Sequence, residues 1–384
     1  MKGIRISSIL ISITTLLVGV HAQKTSEPRV FLLEISAQDR QKGPTDPTVK
    51  QIDKDARNAL AIKVDPIVSK QATPPSGDKH DYMSQAPYFW RNPNTPTGFS
   101  YIRRDGERNP EIEKYPDHQL MDAMIKTVER LARGYYVTGK NEYAFRAGEI
   151  LRLWFLDPRT RMNPNLEFAQ AIPGVNTGRG IGIIETRGLT RIVDSIGLLA
   201  GSASWSKADQ AGMEAWFAKY LTWLVESKNG KDESAAKNNH GTFYDVQVAS
   251  FALFVGNSEL ARRTLDAAKQ KRIAAQLEKD GRQPLELERT KSWDYSVMNL
   301  EGLVSLARLG EHVGVDLWNY RANDRGGVRD AILFLAPFTR DLKKWPYKQI
   351  APISTERFDA IVRVASKIYK DSEFQKGVAA VSAK

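Results

Sequence analysis

Apolar residues recur at three-and-four spacing along most of this chain, the period of helices that bury one face. Leu120, Met121, Met124, Ile125, Val128, Leu131, Ala132 and Tyr135 form one such stripe, which stops at Gly139. Tyr143, Ala144, Ala147, Ile150, Leu151 and Trp154 form the next, stopped near Pro158. Two helices joined by so short a turn are antiparallel neighbours. The pattern Gly139-Lys140-Asn141-Glu142 returns as Gly256-Asn257-Ser258-Glu259. Each supplies a helix-ending glycine, then a capping Asn or Ser with Glu in the first turn. This weak internal repeat predicts helical hairpins laid side by side. Further helices are expected at about 53–68, 183–200, 206–227, 260–279, 293–313, 328–337 and 354–370, with Ser206 and Asp209 as a capping box. Strand signals are scarce. The expected class is all-α, an incomplete (α/α) toroid of antiparallel helical hairpins around a groove, with an unclosed helical solenoid as the alternative.

Three stretches break the pattern. Residues 23–79 are polar and interrupted by Pro28, Pro44, Pro47, Pro66, Pro74 and Pro75, and read as a segment wrapped on a single helical domain over 80–384. Between Tyr82 and Pro110 the chain turns rich in aromatic residues, proline and glycine. A loop that long inside a compact domain is usually functional. Its interleaved rings and polar groups suit sugars, which stack a C–H face on a ring and give hydroxyls and carboxylates to donors. Trp90, Arg91 and Tyr101 are its candidate substrate contacts; rings that plug into the core are the plainer reading. The third stretch, Ala171 to Gly182, is glycine-rich and enters a helix. It follows no strand and lacks the Lys-Ser/Thr of a phosphate loop, so no nucleotide site is assigned.

Charge and the N-terminus narrow the setting. Met1–Ala22 has a basic start at Lys2 and Arg5, an apolar run from Ile6 to Val20 and a small-x-small end at Val20-His21-Ala22. This is the grammar of a cleaved export signal. A retained membrane anchor is the runner-up, although the run is short for the roughly 20 residues of a span. The expected location is secreted or periplasmic, with no stable membrane insertion after cleavage. About 360 residues then remain, and the formal charge of +11 falls to +9 without Lys2 and Arg5. The chain has no cysteine, so its fold rests on its core and not on disulfides. A basic exported protein meets acidic polysaccharides more than nucleic acids, although such a charge also serves solubility alone.

The densest chemistry lies in Lys237-Asn238-Asn239-His240-Gly241-Thr242-Phe243-Tyr244-Asp245, which opens the apolar run Val246 to Val255. The run reads as a buried helix, with a strand allowed by period alone. On the helix, His240 and Tyr244 stand four apart and are expected to face one cleft together. A second cluster runs from Glu286 to Leu300 and carries Arg289 and Tyr295. Tyr295 lies near a helix start, where the helix dipole is expected to ease ionisation of its phenol. Arg187, with Glu185 and Arg191, is a candidate to line the groove. His80 and His118 lack partners at metal-ligand spacing, so neither a metal nor a cofactor is assigned.

At these clusters the chain resembles the alginate lyase family, helical-toroid polysaccharide lyases. The resemblance covers roughly residues 80 to 340 and is carried by Asn238-Asn239-His240, by Arg289 through Tyr295, by the loop from Ala86 to Gly106, and by Asn176 to Gly182. Arg289 stands one residue nearer Tyr295 than in the mannuronate lyases. The resemblance implies β-elimination along an acidic polyuronate, with mannuronan and glucuronan both open. It assigns the sugar carboxylate to Asn239, with Arg289 in support and Asn238 beside it, and the protons to His240 and Tyr295. Asn238, Tyr244, Trp90, Arg91, Tyr101 and Arg187 are the expected substrate contacts. Two other classes remain: a glycoside hydrolase on the same toroid, with Asp245 opposite Asp294 or Glu185 as its carboxylates, and a non-catalytic protein that binds acidic glycans.

Overall fold

A computed structural model describes residues 29–35 and 37–382; the expected leader, Met1–Ala22, lies outside them. In chain order the helices are α1 (Ala37–Gln41), α2 (Pro47–Leu60), α3 (Asp117–Thr138), α4 (Asn141–Leu151), α5 (Leu189–Leu199), α6 (Lys207–Glu226) and α7 (Lys228–Ser234). They continue with α8 (Asn239–Phe254), α9 (Ser258–Ala268), α10 (Pro284–Leu287), α11 (Ser292–Glu311), α12 (Val328–Leu335), α13 (Glu356–Ile368) and α14 (Ser372–Ser382). Four short strands complete the chain: β1 (Met83–Gln85), β2 (Phe89–Trp90), β3 (Ile102–Arg103) and β4 (Phe168–Ala171). β1 pairs with β4 in parallel, and β2 with β3 antiparallel.

The helices form two layers. α3, α5, α8, α11 and α13 pack in that order as an inner row, each against the next, while α4, α6 and α9 back it from outside. Among the described residues α13 forms no extended contact with α3, so the row stays open. This is an all-α incomplete toroid. Gly139 ends α3 in the left-handed conformation, at φ 71°, and Asn257 caps α9 through its side chain. Ser206 and Asp209 form the capping box of α6.

Boundaries differ from the sequence expectation where local chemistry outweighs period. α2 starts six residues earlier than expected because Asp46 caps it ahead of Pro47, and it ends at Leu60. The 183–200 region splits into a tight turn over 180–186 and α5 after Gly188. No helix among the described residues is long and apolar enough to cross a membrane.

α2 packs along α3. Ahead of it, the backbone N–H groups of Phe31, Leu32 and Leu33 all donate to the buried carboxylate of Asp194 on α5, at 2.7–2.8 Å. This tie seats residues 31–33 at one end of the toroid. The other end carries the β1–β4 pair. There Lys70 donates to Asp117 Oδ2 at 2.8 Å with both side chains fully buried, and Asp117 also takes the N–H of Met83 at 2.9 Å. A buried ion pair of this kind fixes register more than it adds stability. Here it holds β1 against α3.

Candidate active site

Where α8 and α11 begin, the inner row meets the strand-bearing loops around a cavity of about 520 Å³. Asn238, Asn239, His240, Arg289, Tyr295 and Arg187 all line it. The two clusters, some 50 residues apart in sequence, therefore share one wall because α8 packs along α11. Tyr88, Phe89, Arg103, Arg108 and Arg179 complete much of the opposite side.

At the start of α8, His240 and Asn239 are each held from behind by a buried carboxylate. Asn238 caps the helix by accepting the N–H of His240. His240 Nδ1 lies 2.7 Å from Glu233 Oε1, with Glu233 only 1 % exposed. A carboxylate at that nitrogen keeps the proton on Nδ1 and leaves Nε2 as the acceptor. Asn239 donates its backbone N–H to Glu286 Oε1 at 2.7 Å and its Nδ2 to both Glu286 oxygens at 3.0 and 2.8 Å. Burial pushes the Glu286 carboxyl above its ordinary range. Below them Arg272 joins Asp245, Ala236 O and Ser234 O in a buried brace.

Tyr295 sits on the first turn of α11. Its hydroxyl donates to the hydroxyl of Tyr88 at 2.8 Å, and the Arg289 guanidinium lies 3.7 Å from its ring centroid. Arg289 is itself fixed by Asp105 at 2.8 Å. Burial raises the Asp105 carboxyl, but Arg289 and Thr290 outweigh it and hold the group down at about 2. The expected easing of Tyr295 ionisation is corrected: burial, then the neighbouring Tyr88, pushes this phenol well up, and Arg289 only partly opposes them. The weak field at a helix start loses to desolvation.

The structure separates the other candidates from the cavity. Tyr244 does not join His240 there; its ring is buried and its hydroxyl donates to Leu224 O at 2.9 Å, because α8 is packed on all sides. Trp90, Arg91 and Tyr101 do not line the cavity either. Trp90 donates to Glu107 O at 3.0 Å, and Glu111 accepts from Arg91 at 2.8 Å and from Tyr101 at 2.6 Å. From the same loop, Tyr88, Phe89 and Arg103 face the cavity instead. Sequence reasoning missed Tyr88, Arg179, Glu233 and Glu286 as site residues.

The lining is basic. Arg103, Arg108, Arg179, Arg187 and Arg289 face the single carboxylate Glu185, which accepts from Tyr82 and Ser84 at 2.7 and 2.6 Å. Arg179 is held by Gln170, whose carbonyl and Oε1 both accept from it and whose backbone adopts a left-handed φ of 50°. Neither Arg179 nor Arg187 has a carboxylate at ion-pair distance among the described residues. The glycine-rich loop serves close packing: a side chain at Gly178 would stand 1.9 Å from Glu167 O. A second cavity of about 630 Å³, inside the inner row, meets the first at Glu185 and Arg187. Among the described residues no three His, Asp or Glu side chains gather to hold a metal.

An open helical toroid with a basic cavity and an imidazole and a phenol on one wall offers, among the described lining residues, no facing pair of carboxylates for a glycoside hydrolase. Asp245 is bound to Arg272 and Asp294 to Gln349, and neither lines the cavity. The family described as alginate lyase matches residues 67–345, and the chain belongs to it. It is a polysaccharide lyase. It is similar to an alginate lyase from Bacteroides ovatus, with 35% identity, a TM-score of 0.87, and coverage of 92% of this chain and 95% of that one. The fold also matches alginate lyase A1-III from Sphingomonas species A1, at 17% identity and a TM-score of 0.54 over 88% of this chain and 93% of that one. A histidine-to-alanine variant of that lyase, complexed with tetrasaccharide, matches at 17% identity and a TM-score of 0.55 over 87% of this chain and 92% of that one. No curated protein matches the chain.

Proposed function

We propose that this lyase cuts a polyuronate of the mannuronan or glucuronan type by β-elimination, with His240 as base and Tyr295 as acid. The observation that carries the reading is the pairing of a carboxylate-backed imidazole with a neutral phenol on one wall of a basic cavity. The C5 proton of a uronate becomes removable when its carboxylate is neutralised, because the electron pair then moves onto that group. The guanidinium groups of Arg179 and Arg187, which have no carboxylate at ion-pair distance among the described residues, suit the anion, and Asn239 joins them once its NH2 is turned toward it.

His240 Nε2 takes the C5 proton, and Glu233 stabilises the imidazolium that results. The C4–O4 bond breaks as the C4=C5 double bond forms, and Tyr295 gives its proton to O4. A phenol held neutral is suited to donate. The phenolate left behind lies under Arg289 and beside the Tyr88 hydroxyl, which can turn to donate to it. Transfer of the C5 proton from the His240 imidazolium to the phenolate, directly or through water, restores both groups. We place the enzyme outside the cytoplasm on the strength of the Met1–Ala22 pattern.

The test is near-ultraviolet absorbance of the conjugated end formed on mannuronan, glucuronan and hyaluronan. Absorbance on one of the first two supports the reading. New reducing ends without absorbance would mean hydrolysis, and neither signal would leave a binding protein.

A further inference from the structure

In the structure as it stands, the Asn239 carboxamide is turned the wrong way for an anion. Both contacts of Nδ2 go to Glu286, and Oδ1 has no partner. Asn239 and Glu286 are each 1 % exposed. The amide's remaining polar atom, buried at a residue that lines the cavity, is thus an acceptor, and a sugar carboxylate brought against it would set lone pairs against lone pairs. An unpaired buried carbonyl is already unfavourable.

A half-turn of the carboxamide exchanges two groups of nearly equal shape. It brings the NH2 toward the cavity but sets Oδ1 against Glu286. That contact is favourable only if Glu286 carries a proton: Oε2–H then donates to Oδ1, while Oε1 goes on accepting the backbone N–H of Asn239. We infer that Glu286 takes up one proton from solvent when the polyuronate binds, and that this proton turns the Asn239 amide so that its NH2 meets the sugar carboxylate. No covalent bond of the substrate is involved, and the proton returns to solvent on release.

The inference rests on the elimination reading above and adds a proton-dependent positioning residue to it. Glu286 touches no reacting atom. The titratable and charged groups acting on it are Arg289, from the turn after its own short helix, and His240, from the start of α8; Arg289, and His240 when it carries a second proton, favour the ionised form. Burial outweighs them and holds the carboxyl above its usual range, so uptake needs only a modest further push. A bound uronate carboxylate supplies that push through its own negative charge. An apolar-walled carboxylic acid kept protonated in order to donate has precedent as a physical device.

Two measurements test it. Calorimetric titration of a uronate tetrasaccharide, in buffers of different ionisation enthalpy, compares Tyr295→Phe with Tyr295→Phe/Glu286→Gln. The first should take up about one proton more than the second, as linkage requires. In steady state, Glu286→Gln mimics the protonated acid, since Nε2 donates to Oδ1 and Oε1 accepts the N–H. It should keep kcat/KM within about tenfold and lose the fall in rate as pH rises through the Glu286 ionisation, whereas Glu286→Leu should lose about 10²-fold. Equal proton uptake in the two backgrounds, or a Gln variant as impaired as the Leu variant, overturns the inference while leaving elimination intact. If the Leu variant fails to fold, the Gln comparison decides alone. A wild type that forms no unsaturated product overturns the elimination reading first, and this inference with it.

Discussion

The start of α8 and the aromatic loop before α3 look alike in sequence, both dense in rings, amides and charge, yet the fold uses them differently. At α8 the partners come from elsewhere: Glu233 from α7 and Glu286 from α10 stand behind His240 and Asn239 and leave each with one uncommitted polar side-chain atom. In the loop, the polar groups of Trp90, Arg91 and Tyr101 find partners in Glu107 and Glu111, 10 to 20 residues on. A reactive site needs side chains that are fixed but not exhausted. Residues satisfied close by in the chain build a wall, while other residues of that loop, Tyr88, Phe89, Arg103 and Arg108 among them, reach the cavity.

This contrast can be broken by substitution. The largest effect is expected for Tyr295→Phe, which removes the proton donor and little area: turnover should fall by about 10³-fold with substrate affinity within a few-fold. An active Phe variant would remove Tyr295 from the chemistry. Glu233→Gln should cost about 10²-fold in kcat because the His240 tautomer is no longer fixed, with KM little changed; wild-type kcat would make the pair merely structural. Lys70→Ala leaves Asp117 buried and unpaired, and should lower stability by about 3–5 kcal/mol in chemical denaturation. Tyr244→Phe, which loses only the contact to Leu224 O, should cost about 1 kcal/mol of stability and no more than about twofold in rate. Arg91→Ala should change least, leaving kcat/KM within about threefold, since exposed ion pairs are worth about 0–1 kcal/mol. A loss of tenfold there would return the loop's outer face to the substrate path.

Much of this was legible beforehand, and the failures share a cause. Helix period located α3, α4, α6, α8, α9, α11, α12 and α13, because each buries one face or more against its neighbours. It also brought Asn239, His240 and Tyr295 into consideration, since amides and imidazoles opening an apolar helix are unusual. Sequence could not reveal Glu233 and Glu286: a Glu on a helix of one or two turns reads as a solvated side chain until the fold buries it. Nor could it give the sign of the Tyr295 shift, which depends first on burial and then on Tyr88 arriving from 207 residues away. Tyr244 was misread because four-residue spacing places two side chains on one face only when that face is uniform along its length. α8 opens at the cavity and then enters the core within one turn.

The most direct test is a crystal structure of Tyr295→Phe with a bound uronate tetrasaccharide. The account predicts a sugar carboxylate against Asn239, the C5 hydrogen facing His240 Nε2, and the bridging O4 at the position of the missing phenol oxygen. A chain seated in the inner cavity beyond Arg187, or stacked on Trp90 and Arg91 away from His240, would contradict it.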